Sequence, residues 1–173
     1  MLPYLALASR SILAAIFVMS VATKLRTGAT RREFVLSVRS LAGTNLRRSV
    51  VLAACSIVAE LGIVALLAFP VSLSAGFVAA ALLLAAYSAI LVRALQRGVQ
   101  ASCHCIGSST GPIHPWLVGR NIGLILVSVI GLAGIHSPLE ATVTVGVVAS
   151  LAAALAVLIV VSTFDDFVFL FAG

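Results

Sequence analysis

Five apolar stretches, each close to twenty residues long, dominate this chain and limit what it can become. They run near 3–23, 49–69, 72–92, 116–135 and 141–163. About 20 apolar residues let a helix cross the hydrocarbon core of a bilayer. No water is present there, so a spanning segment must satisfy its own backbone N–H and C=O groups, which a helix does internally. The expected fold is therefore all-α: a polytopic integral membrane protein with a bundle of four core transmembrane helices and a fifth after them. The proportions agree, since 62% of the 173 residues are hydrophobic and only 9% charged, where a soluble domain carries about 25% charged residues. The first stretch is read as a true span, because it lacks the charged start and small-x-small cleavage site of a secretory signal. Five spans leave room for little else, so one transmembrane domain is expected over residues 1–173.

The connections carry the charge. Seven of the eleven Lys/Arg residues fall between Lys24 and Arg48. A basic segment between two spans, with no interleaved aromatic beyond Phe34, suits lipid headgroups and not nucleic acid. Within it, "RREFVLSVRSL" brings Phe34, Val35, Val38 and Leu41 to one face. That spacing predicts a short amphipathic helix at the membrane surface after the first span. Thr44 or Asn45 is placed to cap the helix that follows. "FPVS" around Pro70 predicts a tight hairpin between the second and third spans, and Pro115 stands where the fourth begins.

Residues able to carry chemistry are few. Cys103 and Cys105 flank His104 in "ASCHCIGSSTGPIHPWLVGRN", between the third and fourth spans. A disulfide across one residue is strained and readily reduced, which suits a transferable bond. His104, Arg97 and Arg120 are candidates to favour the thiolate. Cys103, His104, Cys105 and His114 also form a metal-ligand set, although zinc pairs are usually spaced more widely; no metal is assigned. Two unpaired loop cysteines are the plainest alternative. Glu60 lies within the second span, and an ionisable group at that depth marks a functional site or a buried ion pair. Arg10, in the first span, is its expected partner. Cys55, in the same span as Glu60, reads as a small hydrophobe. Trp116 is an expected interface anchor, while Arg120 either snorkels to headgroups or faces the cysteine loop. Gly119 and Gly123 make a G-x-x-x-G pair of the kind that lets helices approach closely; Gly146 with Ser150 and Ala152 with Ala156 repeat the spacing.

Taken together, "CHCIG", "GPIHPW" and "GRN", with "SRSILAAIFVMSVATKLR" and "AELGIVALL", resemble the MauE family of methylamine-utilisation membrane proteins, related to the DoxX-like group. The resemblance spans roughly residues 5 to 135. It implies thiol–disulfide chemistry beside a thioredoxin-like partner, in the maturation of disulfide-rich proteins outside the cytoplasm. On it, Cys103 and Cys105 are the redox pair, and Lys24, Glu60, Gly107, Arg120 and Asn121 match recurrent positions. Ile106 stands where the family usually has Phe, which puts an aromatic role there in doubt. The layout also resembles that of quinone-linked disulfide-forming membrane enzymes, which makes a quinone a candidate cofactor.

The expected function is thus a membrane thiol–disulfide redox protein exchanging electrons with a thioredoxin-fold partner, in the bacterial plasma (inner) membrane. The rival reading is a structural or assembly subunit bound to other membrane subunits. Positive charge puts the basic loop and the cysteine loop in the cytoplasm. The layout resemblance puts the cysteines outside, so the side stays open.

Overall fold

The computed structural model describes residues 2–98 and 115–135. These form five α-helices with no strand among the described residues: α1 (Leu2–Leu25), α2 (Gly28–Ala42), α3 (Leu46–Ala68), α4 (Leu73–Gln96) and α5 (Trp116–Gly134). All but α2 are long and apolar enough to cross a membrane. The stretch near 141–163 lies outside the described residues. Helices α1, α3, α4 and α5 make an antiparallel bundle in which α1 and α4 each pack against both α3 and α5. Large apolar side chains such as Val58, Leu82 and Leu126 face outward, as expected where the surroundings are lipid tails.

Two ends of the bundle differ. At the hairpin end, Pro70–Ser72 form a single 3-10 turn between α3 and α4. The last carbonyls of a helix lack intrahelical partners. Here the Ser72 hydroxyl donates to the Leu66 carbonyl at 2.8 Å, and the Arg10 guanidinium to that of Ala68 at 2.6 Å. Arg10 therefore does not pair with Glu60, as its place in the first span suggested. It binds a helix C-terminus, where the dipole favours a cation.

At the basic end, Thr27 and Thr30 close a capping box at the start of α2, and Gly43 ends it with φ 61°. Asn45 caps α3, its Oδ1 accepting from Arg48 N at 3.1 Å. Helix α2 turns the expected face inward: Phe34 and Ser37 are buried, and Arg31, Arg32 and Arg39 are exposed. That face packs on α3, α1 and α4, so α2 is part of the bundle and more than a surface strip.

The apolar core joins Leu13, Ile16 and Phe17 of α1 with Ile63 and Leu67 of α3, Phe77, Ala80 and Leu84 of α4, and Leu124 of α5. Small residues set the closest approaches. A Cβ on Gly131 would lie 2.3 Å from the Phe77 ring, and one on Gly76 would lie 3.0 Å from Leu67. The G-x-x-x-G pair behaves otherwise: Gly119 and Gly123 face outward, with open space around them. Helix α5 buries Arg120, Asn121, Leu124, Ser128, Gly131 and Gly134 instead. This stripe repeats every three to four residues, one face of a helix.

Candidate functional site

Two buried and two half-buried polar groups meet inside the bundle, toward the basic end. Lys24, in the last turn of α1, points back along its helix, as helical side chains do. Its Nζ donates to Oε1 of Glu60, in the middle of α3, forming a salt bridge. Tyr87 of α4 donates its hydroxyl proton to the same Oε1 at 2.7 Å. The Ser56 hydroxyl, one turn before Glu60 on α3, lies 2.9 Å from the Tyr87 oxygen. Lys24 and Glu60 are 2% and 0% exposed. An isolated charge at such depth is costly, so each ion is tolerable because the other neutralises it. The ammonium also sits 4.8 Å from the centre of the Phe34 ring and 5.6 Å from that of Tyr87, within cation–π range.

The other carboxylate oxygen, Oε2, is buried and accepts no hydrogen bond from the described residues. Glu60 borders a small cavity of about 10 Å³, shared with Ser20, Tyr87, Arg120 and Asn121. That is room for about one water molecule. Glu60 thus shares this cavity with four other polar side chains, the rest of its lining being apolar. Arg120 and Asn121 are 7% and 4% exposed. Arg120 therefore points into the bundle and does not snorkel to the headgroups, whereas Trp116, one turn earlier, is 39% exposed.

A larger cavity of about 330 Å³, bordered by Lys24 and Tyr87, lies between α2, α3 and α4. Its walls are apolar apart from Lys24, Ser37, Ser56, Tyr87 and Cys55. Cys55 is a free thiol on the exposed side of α3.

Of the residues singled out in the sequence, the structure brings together Lys24, Glu60, Arg120 and Asn121 and sets Arg10 apart at the other end. Tyr87 and Ser56 were missed. Ser56 precedes Glu60 by one helical turn, a spacing that puts both on one face and was readable. Tyr87 carries no such local signal. Cys103, His104, Cys105, Gly107 and His114 lie outside the described residues. The segment that holds them leaves α4 beyond Gly98 and re-enters at Pro115. The end of α4 and the start of α5 meet there, with Leu91 and Ala94 packed on Leu117, Val118 and Leu41.

The sequence profile of one family, described as methylamine utilisation protein MauE, matches residues 2–134. This covers every described helix and the cysteine segment. No curated protein and no solved structure matches the chain.

Proposed function

The chain belongs to the MauE family, and on that premise we propose that it is a membrane thiol–disulfide redox protein whose working sulfurs are Cys103 and Cys105. Its partner is a thioredoxin-fold protein. The reaction is a two-electron exchange: a partner thiolate attacks one sulfur of the Cys103–Cys105 disulfide, the S–S bond breaks, and the released thiolate takes a proton. The partner's second thiol then attacks the mixed disulfide, leaving this chain with a dithiol and the partner with a disulfide. The same steps run backwards when the partner is the oxidant.

The observation that carries this reading is the Lys24–Glu60–Tyr87–Ser56 network, built on a buried ion pair, in the half of the bundle from which the cysteine segment leaves. Thiol–disulfide exchange moves protons with electrons, and an apolar bundle offers few groups to move them. Among the described residues, one buried oxygen of Glu60 has no hydrogen-bond donor, and Glu60 borders a water-sized cavity shared with Arg120 and Asn121. In this role Glu60 relays a proton, and Arg120 with His104 favours the thiolate. A bundle that served only as scaffold gains little from a buried ion pair, since apolar residues of like volume are often as stable.

Acid trapping followed by non-reducing electrophoresis tests the cysteine roles. A chain with only one of Cys103→Ser or Cys105→Ser should accumulate a reductant-sensitive adduct with the thioredoxin-fold partner. The double variant should accumulate none. Equal adduct in the double variant, or the same biological activity without either sulfur, would sink the proposal in favour of a non-catalytic subunit.

A further inference from the structure

From the cavity between α2, α3 and α4 and the arginines at its rim we infer a binding site for one anionic phospholipid. One acyl chain lies in the cavity, and the phosphate sits at the basic end. The cavity holds about 330 Å³, within the range of small-molecule sites. Leu52 and Cys55 of α3 and Ala86 and Ile90 of α4 line it and are exposed on the outside of the bundle. Its occupant therefore enters from the lipid. Three of the polar groups on its walls are turned on one another: Lys24 and Tyr87 donate to Glu60, and Ser56 pairs with Tyr87. The rest of the wall is mostly hydrocarbon. An acyl chain lying along it gains dispersion contacts and needs no hydrogen-bond partner.

The rim gives the headgroup its sign. Of the eleven Lys/Arg residues, all but Arg10, Lys24 and Arg120 are exposed arginines at this end of the bundle. Apart from the buried Glu60, the only carboxylate at this end among the described residues is Glu33. Two of the arginines continue the cavity walls. Arg48 stands one turn before Leu52 on α3, and Arg97 two turns beyond Ile90 on α4, spacings that keep one helix face. The Arg97 guanidinium also reaches the end of α2. Its Nη1 lies 3.9 Å from where a Cβ on Gly43 would be, one residue past Ala42 of the cavity wall. Among the described residues, neither arginine side chain makes a hydrogen bond or an ion pair. Basic pockets between transmembrane helices hold anionic headgroups, and a guanidinium grips two phosphate oxygens at once. Phosphatidylcholine offers the same phosphate with its own cation attached, so a headgroup of net negative charge is favoured. This site stands on the cavity and its rim alone, whether or not the cysteines exchange electrons.

The test uses the full chain in nanodiscs of phosphatidylcholine. Two probes carry a photoactivatable diazirine at the same place on one acyl chain, a phosphatidylglycerol and a phosphatidylcholine. At equal mole fraction, phosphatidylglycerol should label the cavity walls on α2, α3 and α4 at least about tenfold more, a difference of about 1.4 kcal/mol. Peptide mapping reads the position of the label. Arg48→Gln/Arg97→Gln should erase most of that preference. Arg32→Gln/Arg39→Gln removes the same charge from the outer face of α2 and should leave it in place. Ala59→Phe, which fills the cavity, should cut the wall labelling by phosphatidylglycerol. Four results would overturn the inference: equal labelling by the two probes, label away from these walls, indifference to Ala59→Phe, or the same loss from both arginine pairs. A fatty acid with the same diazirine tail that labels as strongly as phosphatidylglycerol would overturn the assignment of a phospholipid.

Discussion

The two halves of this bundle solve the same problem, holding helices together in lipid, by different means. Toward the hairpin end, beside the Arg10–Ala68 hydrogen bond, the contacts are steric: Gly131 admits the Phe77 ring, Gly76 admits Leu67, and Leu13 is wholly buried. Toward the basic end the contacts are polar: Lys24, Glu60, Tyr87 and Ser56 link α1, α3 and α4. Lipid tails are as apolar as leucine, so the hydrophobic effect cannot choose between helix faces; close packing and hydrogen bonds do. The steric half can be altered in steps. The polar half must be altered in pairs, because removing one ion strands the other.

That contrast gives the largest expected effect. Glu60→Leu or Lys24→Met alone should cost about 3–5 kcal/mol, the range for a buried charge left without its partner. The two together should recover most of the loss. Unfolding in mixed micelles, followed by helical circular dichroism, measures both. If the double variant were as unstable as the worse single one, the pairing would not be what makes the ions tolerable. A smaller loss is expected in the steric half. Gly131→Ala forces a Cβ into the Phe77 ring, and overpacking of this kind costs about 1–3 kcal/mol. Adding Phe77→Leu should return part of it, and a double-mutant cycle reads the coupling. The smallest effect is expected on the outer face of α5. Gly119→Ala and Gly123→Ala meet open space and should stay within about 0.5 kcal/mol. A loss as large as that of Gly131→Ala would mean that this face docks against another helix.

Much of the fold was legible in the residues, for a local reason. Each span is long, apolar and obliged to satisfy its own backbone, so its existence and helical type follow from the stretch itself. Caps and turns are local too, as Asn45 at α3 and Pro70 at the hairpin show. The amphipathic face of α2 was legible through Phe34 and Leu41. That it seats against α3 and α4, with Ser37 buried, was not. The G-x-x-x-G spacing misled for the same reason. Spacing says which residues share a face, but only neighbours decide whether that face turns inward.

The candidate site divides the same way. Sequence alone determined that this chain is a helical membrane protein and that Glu60, at its depth, marks a functional site or a buried ion pair. It named Arg10 as the partner for such a pair, whereas Lys24 stands fourteen residues further on α1, roughly 21 Å along the helix. The vertical offset of α1 against α3 decided between them, putting Arg10 at the Ala68 carbonyl and Lys24 at Glu60. The same packing brought Tyr87 to the pair from a helix whose own sequence gave no sign of it. Offset and rotation are properties of helices fitted together, set by contacts such as Gly131 on Phe77 far from the charges. No single span encodes them, so only the tertiary structure could choose the partner.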